Sequence, residues 1–65
     1  MNWDTIEGNW KQFKGDIKAH WGDLTDDEVD QAEGNRDKLV GKIQERYGLA
    51  KSEAERQIDE FVAKH

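Results

Sequence analysis

The chain has 65 residues, 38% of them charged and 34% apolar, with a net charge of −5 and a pI near 4.8. A chain of this length holds a single small domain with a thin margin of stability. The lack of cysteine excludes a disulfide framework and a thiolate zinc site, the lack of proline leaves long helices open, and the acidic balance disfavours nucleic-acid phosphates and anionic membrane surfaces.

Residues 1–24 carry the first predicted element. At about 100° per residue, Trp3, Ile6, Trp10, Phe13, Ile17 and Trp21 fall within an arc of about 80°. Asn2 is the predicted N-cap, Met1 is placed to staple onto Ile6, and Gly22 follows Trp21 where a glycine ends a helix. The second element starts at "LTDDEV". Thr25 and Glu28 have the spacing of a capping box, Leu24 and Val29 that of a hydrophobic staple. Asp26, Asp27 and Glu28 suit the positive end of a helix. The stripe continues through Val29, Ala32, Leu39, Val40, Ile43 and Tyr47 and stops at Gly48. The third element, 52–64, is expected to start on a second capping box, Ser52 with Glu55. Ala54, Ile58, Phe61 and Val62 share one of its faces.

Strand alternation and hairpin dipeptides are absent. Mean hydropathy is −1.14, between globular and disordered chains, and the regular apolar spacing favours order. The start "MNWDTIEGNW" has no basic n-region or apolar h-region, and no stretch approaches membrane-spanning length, so a cytoplasmic setting is expected.

The sequence also repeats itself. Shifted by 26 positions, residues 3–22 match 29–48 with seven identities: Asp4, Glu7, Gly8, Asn9, Gly15, Ile17 and Gly22. Two copies are too few for a solenoid. The fold class expected is all-α, a small helical bundle built on an internal two-fold repeat (units 1–24 and 25–50) plus a C-terminal helix. The wheel turns Gly8, Gly15, Gly34 and Gly41 away from the apolar stripes, toward solvent. Either each "EGN" breaks its segment, giving four or five helices in place of three main ones, or the helices run through it and are weakened. An unbroken 26–47 helix measures about 33 Å, as long as such a domain is wide, so a bend or break is expected near Gly34.

"GNWKQFKG", "HWGDLTDDE", "EGNRDKLVGKIQERYG" and "SEAERQIDEF" together resemble the CsbD-like family of small bacterial proteins, over about Gly8 to Phe61. The resemblance implies a bacterial cytoplasmic protein of the general stress response. It brings no catalytic residues with it.

Several constellations also admit a purely structural role. Trp3, Trp10 and Trp21 read as core, yet Trp10 aligns with Arg36, so the repeat does not demand an aromatic there. Trp10 with Lys11, Lys14 and Lys18 beside it is the candidate partner-contact face. The alternative is lysines snorkelling over the rim of the core. The run Asp26, Asp27, Glu28, Asp30, Glu33 lacks the glycine and ligand spacing of a calcium loop. His20 and His65 are too far apart in sequence for a helical metal pair, and Ser52 is assigned to a cap. Neither an enzyme nor a cofactor, metal or small-molecule substrate is expected. The expected protein is a monomeric interaction module with an unknown macromolecular partner. The alternative is a hydrophilin-like protectant, its glycine-diluted helices tightening as water is withdrawn. Nucleic-acid binding ranks third and membrane contact is not expected.

Overall fold

A computed structural model describes residues 2–65, and the Met1–Ile6 staple lies outside the described residues. Among the described residues five helices follow one another: α1 (Trp3–Gly8), α2 (Trp10–His20), α3 (Asp26–Ala32), α4 (Arg36–Tyr47) and α5 (Lys51–Lys64). Both EGN segments interrupt a helix. The globule measures 27 × 23 × 18 Å. A straight helix of about 33 Å over 26–47 would overrun its longest axis.

The caps explain most of the boundaries. Asn2 Oδ1 accepts from the Thr5 amide at 3.1 Å and starts α1. The Thr25–Glu28 capping box starts α3, and Leu24 and Val29 are both buried, as their staple requires. Asn35 Oδ1 takes the Lys38 amide at 3.0 Å and starts α4, which ends on left-handed Gly48. The Ser52 cap does not form. Helix α5 begins one residue earlier, with Ala50 as N-cap and no side-chain cap bond. Ser52 is therefore inside the first turn, where its backbone is already helical, and Glu53 pairs with Arg56.

Moved by 26 positions, α2 becomes 36–46, and α4 spans Arg36–Tyr47. Helices α2 and α4 thus occupy equivalent stretches of sequence, but the two EGN tripeptides differ. In the first, Gly8 stays helical and only Asn9 leaves the helix (φ −121°, ψ 39°), its amide shared between the Thr5 and Ile6 carbonyls. In the second, Glu33 (φ 52°) and Gly34 (φ 79°) are both left-handed. The first is a kink and the second a reversal.

Tertiary contacts account for the difference. The Trp3 indole N–H donates to the Gly34 carbonyl at 2.9 Å. A Cβ placed on Gly34 would lie 3.0 Å from Glu7 Cγ. The first EGN therefore packs on the second, and Gly34 is buried, contrary to its expected exposure. Gly8, Gly15 and Gly41 are exposed as expected, and a methyl group on any of them would have nothing within 4 Å.

Consecutive helices pack on one another. Among the described residues thirteen apolar side chains are buried, from Ile6, Phe13, Ile17 and Trp21 in the first unit to Ala54, Ile58 and Phe61 in α5. Among the same residues the core holds no buried charge and no buried side-chain polar atom without a partner. Long-range ties close the bundle. Trp21 Nε1 donates to Gln57 Oε1 at 3.0 Å, and Tyr47 Oη accepts the Asp23 amide at 2.9 Å.

Two glycines at equivalent repeat positions should therefore answer differently to one methyl group. Gly34→Ala should cost about 1–2 kcal/mol, as expected of a left-handed non-glycine. Gly8→Ala should leave stability unchanged or raise it by up to about 1 kcal/mol. Urea unfolding of the two variants checks the contrast.

Candidate functional site

Trp10 opens α2, immediately after the Asn9 kink. That position aims its ring across α3. It is half-buried, and its Nε1–H donates to the Val29 carbonyl at 3.2 Å. Its ring meets Trp3 edge to face, with centroids 5.9 Å apart and planes at 63°. The repeat counterpart, Arg36, reaches over the next helix in the same way, pairing with Asp59 at 2.8 Å. The two residues are chemically unrelated but do the same job of tying a helix start to its neighbour.

Residues Glu7 to Gln12 line a shallow depression around Trp10. Lys11 is exposed there and forms no ion pair among the described residues. The other two lysines are engaged. Lys14 pairs with Asp30, which raises its pKa through their hydrogen bond. Lys18 Nζ stands 2.6 Å from Asp26 Oδ1, and that bond lowers the Asp26 pKa. The structure brings Trp10, Lys11, Lys14 and Lys18 along one side of α2, but Lys14 and Lys18 lean onto α3. In the sequence the lysines and the acidic run stand as separate features. Their opposite charge, one set in each unit, is compatible with a contact but does not establish it without α3 beside α2.

The acidic run is shared among structural tasks. Asp26 and Asp30 hold the two lysines. Glu28 Oε1 accepts from the Thr25 amide at 3.1 Å and from Arg46 Nη2 at 2.7 Å. These contacts, the Thr25 backbone bond first, lower the Glu28 pKa. A second pairing hidden in the sequence is that of His20 and His65, whose rings both lie against Phe61. Among the described residues no three His, Asp or Glu side chains are grouped to hold a metal ion. No helix among them is long and apolar enough to cross a membrane.

Comparison with known proteins agrees with the resemblance read from the sequence. A CsbD-like family model matches residues 4–56. The chain belongs to the CsbD-like family. Its relatives include the UPF0337 protein YjbJ of Escherichia coli O6:H1 (strain CFT073), 57% identical over all 65 residues and 94% of that protein. YjbJ of Escherichia coli K12 is 54% identical over the same extents. A UPF0337 protein of Nitrosomonas europaea is 56% identical over 95% of this chain and 66% of that protein. The CsbD-like match spans residues 4–24 of the first repeat unit, all of the second and the start of α5, so the two EGN segments and the Trp10 face lie inside it.

The carboxylate contacts predict an acid limb. Asp26, Glu28 and Glu53 all have lowered pKa values in the folded chain, from bonds to Lys18, Thr25 and Arg56 respectively. A lowered carboxylate pKa stabilises the fold above the unfolded value, and that contribution is lost as pH falls through the folded one. The thermal midpoint should therefore drop below about pH 5, and drop less steeply in Glu28→Gln, as followed by circular dichroism.

Proposed function

We propose that this protein is a non-enzymatic helical module of the bacterial general stress response that acts by contacting a macromolecular partner in the cytoplasm. The stress setting comes from the CsbD-like family. The observation that carries the mechanism is the face around Trp10. There an aromatic ring stays half-exposed at a position where the duplicated unit has an arginine, next to a lysine with no ion pair among the described residues. Lys14 and Lys18 form the edge of the face and fix α2 against α3. Trp10 is itself tied to Val29, and the other tryptophans are likewise engaged in packing and in bonds between helices.

Lys11→Glu separates the contact face from the fold, since Lys11 is exposed. The variant should melt as the wild type does and should lose the macromolecules that the wild type captures from stressed cells. Trp10→Phe keeps a ring and removes the bond to Val29, which costs about 1 kcal/mol. Unchanged capture by Lys11→Glu and by Trp10→Ala would show that the face is not used.

A second reading is favoured by Gly15 and Gly41. Each sits inside a helix, open to solvent, where a methyl group would touch nothing. Each costs about 0.8–1 kcal/mol against alanine. Helices weakened in this way suit a protectant that gains order as water is removed. The double variant Gly15→Ala/Gly41→Ala should be more stable by about 2 kcal/mol, raising the midpoint by about 4–8 °C per kcal/mol. A protectant would lose potency in an enzyme-drying assay when stiffened, whereas a contact module would keep its binding.

A further inference from the structure

The two histidines belong to neither reading above, yet the fold brings them to one place. Phe61, in the last part of α5, is 1% exposed and closes the seam between the ends of α2 and α5. The His65 ring lies 4.3 Å from it, the His20 ring 5.5 Å and the Trp21 ring 5.3 Å, centroid to centroid. His20 also rests on Trp21 at 4.4 Å, and His65 meets Phe13 at 5.7 Å. Two imidazoles thus cover the aromatic joint between two helices that are far apart in the chain.

Their polar surroundings differ. His65 Nε2 stands 3.4 Å from Asp16 Oδ2 on α2, and its Nδ1 lies 2.8 Å from the Phe61 carbonyl. Among the described residues the His20 ring has no hydrogen bond and no carboxylate in ion-pair contact. The charged groups facing it come from α5 and its end: Lys64 and His65, with Glu60 as the one opposing charge. Partial burial first, and Lys64 next, lower the His20 pKa. A proton on His20 adds a cation beside Lys64.

We propose that this seam is a proton-operated latch, in which neutral His20 packs on Trp21 and Phe61 and holds the last turn of α5 on α2, and protonation of His20 frees that turn and uncovers Phe61. The sign follows from the surroundings. A histidine whose neutral form is favoured by the fold stabilises it above the ordinary imidazole range, and that stability is lost as pH falls.

The test is hydrogen exchange on the whole chain, from about pH 7.5 to about pH 5.5, with intrinsic rates divided out. The wild type should lose protection at the Phe61–Lys64 amides and at the Trp21 indole N–H, while α3 and α4 keep theirs. His20→Gln should abolish the pH dependence. Because His20 is exposed at a helix end, the glutamine variant should fold, and an NMR titration of the wild-type His20 ring gives a readout that needs no variant. A pH-independent seam, a loss spread equally over all helices, a loss retained in His20→Gln, or a His20 ring titrating above the ordinary imidazole value would each overturn the latch.

Discussion

The reversal at Glu33–Gly34 is the constraint on which the remainder of the bundle rests. It places α4 back across α3, so that Leu39, Val40 and Ile43 enter the same interior as Ile6, Phe13 and Ile17. Two successive left-handed residues are costly for a glutamate and natural for a glycine. That cost is offset by contacts that hold the turn in place: the Trp3 indole on the Gly34 carbonyl, and the Asn35 amide on the Ala32 carbonyl at 2.8 Å. Helix α1, only six residues long, could not stand alone. Its role is to supply Trp3 and Glu7 to this turn, and Ile6 to the core.

The family, the all-α class, the repeat and most of the caps are legible in the sequence because each rests on local spacing. Thr25 with Glu28 forms its box, and Asn2 caps α1. The fate of the two EGN tripeptides is not legible. Identical residues adopt a kink in one unit and a reversal in the other, so the deciding information lies in Trp3 and Glu7, which are distant in sequence from Gly34. The same applies to Ser52. It has the right spacing to Glu55, but α5 begins at Lys51 and leaves the serine inside the helix. At the candidate site, the residue set is visible as a stripe edge. That Lys14 and Lys18 engage Asp30 and Asp26 depends on α3 lying beside α2, which no local pattern announces.

Charge is arranged across helices. Lys14 and Lys18 link α2 to α3, Arg46 links α4 back to Glu28 of α3, and Arg36 links α4 to Asp59 of α5. Exposed pairs of this kind contribute little stability individually. Their common pattern is to join successive helices at defined points, which supports one docking arrangement over a slipped one. With a net charge of −5, the chain also disfavours polyanionic partners.

Because each helix packs chiefly on the next one along the chain, most contacts can form without first closing a long loop. Chains with such local wiring fold in about microseconds to milliseconds. The slow elements of folding are also missing, since the chain has no proline to isomerise and no cysteine to oxidise. A newly made copy can therefore become functional almost as soon as it leaves the ribosome, with synthesis and not folding setting the delay.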